Sequence, residues 1–293
     1  MKAELVPLLA AVGIGLFAAG DSRAATVLVT PVADAMLWEN DASTARGTEA
    51  TFIAGTTGTA IGNKGSRGVL RFDLAGSVPT GAIIRSATLS VMVTKAPLGA
   101  ANSVFELRRV LRDWSEHQLT WLQRSSGNAW GNPGATAGVD FADVASSTAF
   151  VSIAQNRYTF GSTSALVADV QAWSDAPASN FGWLLKSQSE QTSKTARHFA
   201  AREGGAANAA TLTIDFDVPA AAPTLTPLPV ANGELRFSFP AEGNRAYVIE
   251  GRTAFGTGAW EDVLTLPAAP AATVLTVTNS ILGGAKFFRV RTP

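Results

Sequence analysis

From about Thr26 to Pro219, apolar and polar residues alternate with a period of two, the signature of strands buried on one face. In Gly68–Leu74, the residues Leu70, Phe72 and Leu74 fall on one side, and Arg71 and Asp73 on the other. Leu89, Val91 and Val93 repeat the device, as do Phe105 and Leu107, and later Leu212, Ile214 and Phe216. Gly, Pro, Asn and Ser separate these runs, so the pattern predicts an all-β fold, an antiparallel jelly-roll sandwich. One run departs from period two. Leu166, Val170 and Trp173 stand at i, i+4 and i+7, which predicts a short helix capped by Thr163 or Ser164.

Further along, Pro219 to Pro229 holds four prolines and no charge, and predicts an extended linker over 219–229. Five short strand patterns follow, at Glu234–Phe239, Tyr247–Arg252, Trp260–Leu266, Thr273–Thr278 and Lys286–Arg291. They predict a second, small immunoglobulin- or fibronectin-like β domain over 230–293, after a large domain over 26–218. At the other end, Lys2 precedes an uncharged run from Leu5 to Gly20, and Ser22-Arg23-Ala24 offers a cleavage site. Residues 1–25 are therefore expected to be a signal peptide, and the protein to be secreted or displayed on the cell surface with no membrane span in the mature chain.

Composition narrows the function. Lysine plus arginine and aspartate plus glutamate number 23 each, so no net charge draws the chain to nucleic acid. Cysteine is absent, which excludes thiol catalysis and the cysteine-based zinc frameworks. No Gly-x-Ser-x-Gly, His-Glu-x-x-His or phosphate-cradling loop occurs.

The densest chemistry lies in Asp113–Trp121, "DWSEHQLTW", with two tryptophans, two carboxylates and one of the two histidines. Ser115 and Gln118 are spaced as a capping box, which predicts one helical turn with Trp114 and Trp121 both turned to the core. This stretch, with "GVLRFDL", "PTGAIIRSATLSV", "DVQAWSDAPASNFGWLLKS" and "FAAREG…ATLTIDF", resembles the DNRLRE domain over roughly residues 30–217. The resemblance implies an extracellular β-sandwich related to carbohydrate-binding modules, one that binds polysaccharide or serves as a surface module without catalysing a reaction. Ala201 departs from it, since a serine normally precedes the basic-acidic pair that is Arg202-Glu203 here. Tyr247, Glu250, Trp260 and Phe288-Arg289-Val290 are similar to the short β domain that closes many secreted bacterial proteins.

Sugar rings stack on indole, and neighbouring polar groups bond their hydroxyls. Trp114, Trp173 and Trp183 have hydrophobic partners in sequence and are expected in the core, whereas Trp38 ("MLWEND"), Trp121 and Trp130 ("NAWGNPG") are the candidate platforms, with Arg124 and Asn128 as polar partners. Several arginines on one sheet face would suit an acidic polysaccharide. Arg71 and Arg202 are instead expected to pair with acids that hold the fold. Calcium is a candidate structural ion, held by Asp34 and Glu39 at the start of the domain and Asp215 and Asp217 at its end. A polysaccharide-degrading enzyme would need paired carboxylates, for which Asp113, Glu116 and Glu203 are available. A structural or adhesive envelope protein is the other alternative.

Overall fold

The computed structural model describes residues 23–218, 223–231, 234–253, 259–280 and 287–292. The expected signal peptide lies almost wholly outside them. Two compact units divide the chain, 24–218 and a second within 219–293.

The large unit is a β-sandwich. Its strands are β1 (Arg23–Val29), β2 (Pro31–Trp38), β3 (Thr51–Thr56), β4 (Gly65–Phe72), β5 (Ile83–Lys95), β6 (Ser103–Arg109), the short hairpin β7 (Gln123–Ser125) and β8 (Asn128–Ala129), β9 (Ser147–Val151) and β10 (Asn156–Phe160). Helix α1 (Ser164–Asp175) precedes β11 (Trp183–Ser187), β12 (Arg197–Ala200) and β13 (Thr211–Val218). One layer runs β1-β13-β5-β12-β3, with β10 also on β5. The other runs β3-β4-β11-β6-β9, with β2 also on β4. Strand β3 belongs to both: Thr51–Ala54 pair with β12, and Gly55–Thr56 with β4. Its corner is Gly55, at φ +105°, where a Cβ would stand 2.7 Å from the Thr195 carbonyl oxygen. Only glycine turns the strand there without strain.

Between the layers, the period-two residues meet as expected. Leu70, Phe72, Leu89, Val91, Val93, Phe105, Leu107, Leu212, Ile214 and Phe216 are buried in one cluster. The helix closes one end of it. Leu166, Val170 and Trp173 face inward, and the Leu166 amide donates to Thr163 Oγ1 at 3.0 Å, the expected cap. Trp173 meets Trp183 at 4.4 Å between ring centroids. Buried Asp169, on the same helix, accepts from Trp183 Nε1 at 2.9 Å and from Ser146 Oγ at 2.5 Å, so the indole N–H is not left unbonded in the core.

The second unit holds β14 (Thr226–Ala231), β15 (Glu234–Ala241), β16 (Tyr247–Arg252), β17 (Glu261–Leu266), β18 (Thr273–Ser280) and β19 (Phe287–Arg291). They form two three-stranded antiparallel sheets, β14-β15-β18 and β17-β16-β19, around Leu235, Phe237, Phe239, Ile249 and Phe288. The end of the proline-rich segment forms β14. Pro227 and Pro229 are tolerated because β14 is an edge strand, where a missing N–H leaves no partner unbonded. Among the described residues no helix is long and apolar enough to cross a membrane.

Candidate functional site

Layer β3-β4-β11-β6-β9 is apolar on its outer face as well. Ala33, Ala35 and Leu37 on β2, Val69 on β4 and Leu184 on β11 form a second buried cluster with residues from the segment 110–146. That segment folds over the face as a cover, plugged by Val110, Trp114, Leu119, Trp130, Ala135 and Phe141. "DWSEHQLTW" is the first part of this cover. Its predicted turn forms through backbone bonds alone, Gln118 and Leu119 amides to the Ser115 carbonyl at 3.0 and 2.8 Å, and it does not lengthen into a helix.

The candidate platforms separate accordingly. Trp130 is only 5% exposed, and its Nε1 donates to the Thr120 carbonyl at 3.0 Å. Trp121 is half-buried against the outer cluster, beside Gly134, where a Cβ would meet its ring at 2.6 Å. Trp38 is half-buried on the opposite side of the layer, against the inner core, with the Arg46 guanidinium 4.7 Å from its ring centroid. The three indoles share no one face. Arg124 Nη1 bonds the Asp113 carbonyl at 2.8 Å, and exposed Asn128 bonds Ser125 and Ser126 within the β7–β8 hairpin.

Two grooves flank the cover, at opposite ends of the outward row Arg67–Val69–Arg71 on β4. Four residues of strand separate the two arginines by about 13 Å. The groove at the Arg67 end encloses 390 Å³ and is lined by Arg67, Glu106, Arg108, Asn132, Thr136 and Lys186 among others. Its cations are already matched. Arg67 chelates Glu190 at 2.7 and 2.8 Å and bonds the Gly134 and Ala135 carbonyls, and Arg108 chelates Glu106 at 2.9 and 3.0 Å. Lys186 bridges both carboxylates. Burial alone would raise the carboxyl of Glu106. Hydrogen bonds from Arg108 and Gln188, with the charges of Lys186 and Arg108, outweigh burial and leave it lowered. The groove at the Arg71 end encloses 460 Å³ between β2, β4 and the segment before β11, and is lined by Val32, Arg71, Asp73, Asp113, Asn180 and Phe181 among others. Neither Phe181 nor Asp73 stands out in the sequence as a ligand. The one local signal is Asn180-Phe181-Gly182, where Gly182 adopts φ +74°.

The four residues proposed for calcium do not converge, although Asp215 and Asp217 line one groove on β13. Glu39 pairs with Lys64, Asp215 accepts from Thr26 and Ser86, and Asp217 pairs with Arg85. Asp34 joins Glu116 and Glu203 instead, the one group of three among the described residues whose carboxylate oxygens all lie within 4.8 Å. Arg202 bonds all three of them. Its amide donates to Asp34 at 2.8 Å, and its guanidinium reaches Glu116 at 3.0 Å and Glu203 at 2.7 Å. Arg71 and Arg202 thus pair with acids as expected, Arg71 with Asp113 at 3.1 Å.

Burial pushes the Asp34 carboxyl up from 3.8 to about 7, against the Arg202 amide that lowers it, and the charges of Glu203 and Glu116 add to the rise. The folded chain therefore holds a proton at Asp34 that the unfolded chain releases near 3.8. The stability this proton supplies is fully present below about pH 4 and is lost as pH rises through about 7. We expect wild type to lose stability relative to Asp34→Asn across that window, measured as urea midpoints at a series of pH values. Two parallel profiles would refute the raised pKa.

No curated protein matches the chain. Residues 25–144, which supply β1 to β6 and nearly all of the cover, match the family model of carbohydrate-binding module family 96.

Proposed function

We propose that the large unit is a non-catalytic module that binds an extracellular polysaccharide on the covered outer face, at the grooves flanking the 110–146 segment. The observation that carries this reading is the match of residues 25–144 to a carbohydrate-binding module family, since that range contains Arg67, Arg71, Asp73 and the whole of "DWSEHQLTW". The DNRLRE-type motifs and the apolar N-terminal run support the same reading, with the chain exported to meet its ligand outside the cell. Carboxylates already occupy the cations of the Arg67 groove, which favours a neutral glycan over an acidic one. Affinity electrophoresis through gels containing neutral and acidic polysaccharides tests the proposal. Retardation by at least one of them is expected, and unchanged mobility in every gel would overturn it. If light scattering then showed self-association without glycan uptake, the structural or adhesive role would take its place.

A further inference from the structure

We propose that the groove at the Arg71 end is a subsite for a neutral, hydroxyl-rich pyranose, with Phe181 as the ring on which the sugar stacks; this rests on the polysaccharide-binding reading above. The groove is mixed in the way a sugar requires. Val32, 47% exposed, and half-buried Phe181 supply apolar surface, and Arg71, Asp73, Asp113 and Asn180 supply polar atoms around it. A pyranose has one C–H face to lay on a phenyl ring and a rim of hydroxyls that both donate and accept.

The backbone that carries the ring is held in place before any ligand arrives, and Phe181 itself packs partly against the outer cluster. Asn180 Nδ2 donates to the Phe72 carbonyl at 2.5 Å, and its Oδ1 accepts from the Gly182 amide at 3.1 Å. The Phe181 carbonyl accepts from Trp114 Nε1 at 2.8 Å. Backbone on both sides of Phe181 is thus fixed to β4 and to the cover, so little ordering is left to oppose binding.

Its polar groups keep spare capacity, unlike those of the Arg67 groove. Arg71 lies 5.1 Å over the Trp114 ring and gives one N–H to Asp113 at 3.1 Å; its guanidinium makes no other hydrogen bond among the described residues. Asp73 Oδ1 caps the Ala75 amide at 2.9 Å, and among the described residues neither its Oδ2 nor Asp113 Oδ2 has a hydrogen-bond partner. Donors and acceptors both remain, which is what a hydroxyl needs from its site. The three ionised side chains sum to one negative charge, so a uronate or sulfate ester is repelled while an uncharged sugar is not.

The full chain would be titrated with soluble β-glucan, galactomannan and xylan, and in parallel with polygalacturonate and a sulfated galactan. Wild type should bind at least one neutral polymer, and Phe181→Ala should lose about tenfold or more of that affinity with near-ultraviolet circular dichroism unchanged. Asp73→Asn, at an exposed side chain that keeps its cap oxygen, should weaken the same binding by about tenfold; should Phe181→Ala fail to fold, this variant decides alone. Neutral binding that neither variant weakens, or wild-type binding confined to the charged polymers, overturns the Phe181 subsite and leaves the polysaccharide reading standing. Binding to no polymer overturns both.

Discussion

Arg197→Leu is expected to destabilise the large unit by more than about 3 kcal/mol. Arg197 is completely buried in the structure, yet no carboxylate among the described residues meets it. Its guanidinium donates instead to backbone carbonyls, those of Ala101 at 2.9 Å, Ser152 at 3.0 Å, Thr195 at 3.0 Å and Ala196 at 3.1 Å. Burial lowers its pKa, because a charge without an anion is costly in a dry interior. What offsets that cost is the planar fork of five donors, which ties the approach to β6, the turn after β9 and the entry to β12 at one point. Leucine removes every donor and leaves carbonyls that water reaches poorly, each costing roughly 1–3 kcal/mol. Arg197→Lys keeps the charge but has three donors from one nitrogen, so it should fall between. Equilibrium denaturation would check both variants. A leucine variant within about 1 kcal/mol of wild type would mean that water takes over the carbonyls.

Gly182→Ala is expected to be comparably damaging and to strike the proposed subsite as well. Gly182 sits at φ +74°, and a Cβ there would lie 1.9 Å from the Leu70 carbonyl oxygen and 2.8 Å from Arg71 Cα. Both contacts are to backbone of β4, which is bonded on either side and has no room to retreat. The methyl group must therefore push β11 away from β4, or pull residue 182 out of its left-handed conformation and break the bond from the Val110 amide to the Gly182 carbonyl. A loss of several kcal/mol is expected on either route, with neutral-glycan affinity lost too, because Phe181 and Arg71 adjoin the clash. Thermal melts with glycan titration would check it. Wild-type stability and binding together would show that the turn tolerates a side chain.

Much of this architecture was legible because the inner core follows simple periods. Leu70 with Phe72, and Leu89 with Val91 and Val93, read as strands from alternation, and α1 from its i, i+4, i+7 stripe with Thr163 at its cap. The outer face was not legible, for a physical reason. Strand β2 carries Ala33, Ala35 and Leu37 on the side that alternation would assign to solvent, so apart from Asp34 it reads as apolar throughout, and the cover that meets it has almost no repeating structure to give a period. Trp130 illustrates the consequence. Its glycine-rich surroundings suggest an open loop, yet the loop itself lies face-down on the sheet. Asp34 was grouped with Glu39 by closeness in sequence, whereas the fold sets it beside Glu116 and Glu203, 82 and 169 positions away by number. Phe181 carries no mark in the sequence: packed partly against the outer cluster and followed by the left-handed turn at Gly182, it borders the groove only because β2, β4 and its own segment meet there.

The layer beneath the cover has a separate apolar cluster on each side, which decouples two tasks that a single core would have to share. Residues between the layers form one buried cluster, whereas segment 110–146 packs into the other and carries the outer surface on its far side. Substitutions at the exposed, groove-lining positions of the covering loop therefore leave the inner interdigitation untouched. Ligand preference can then be altered on the cover while the frame between the layers is kept.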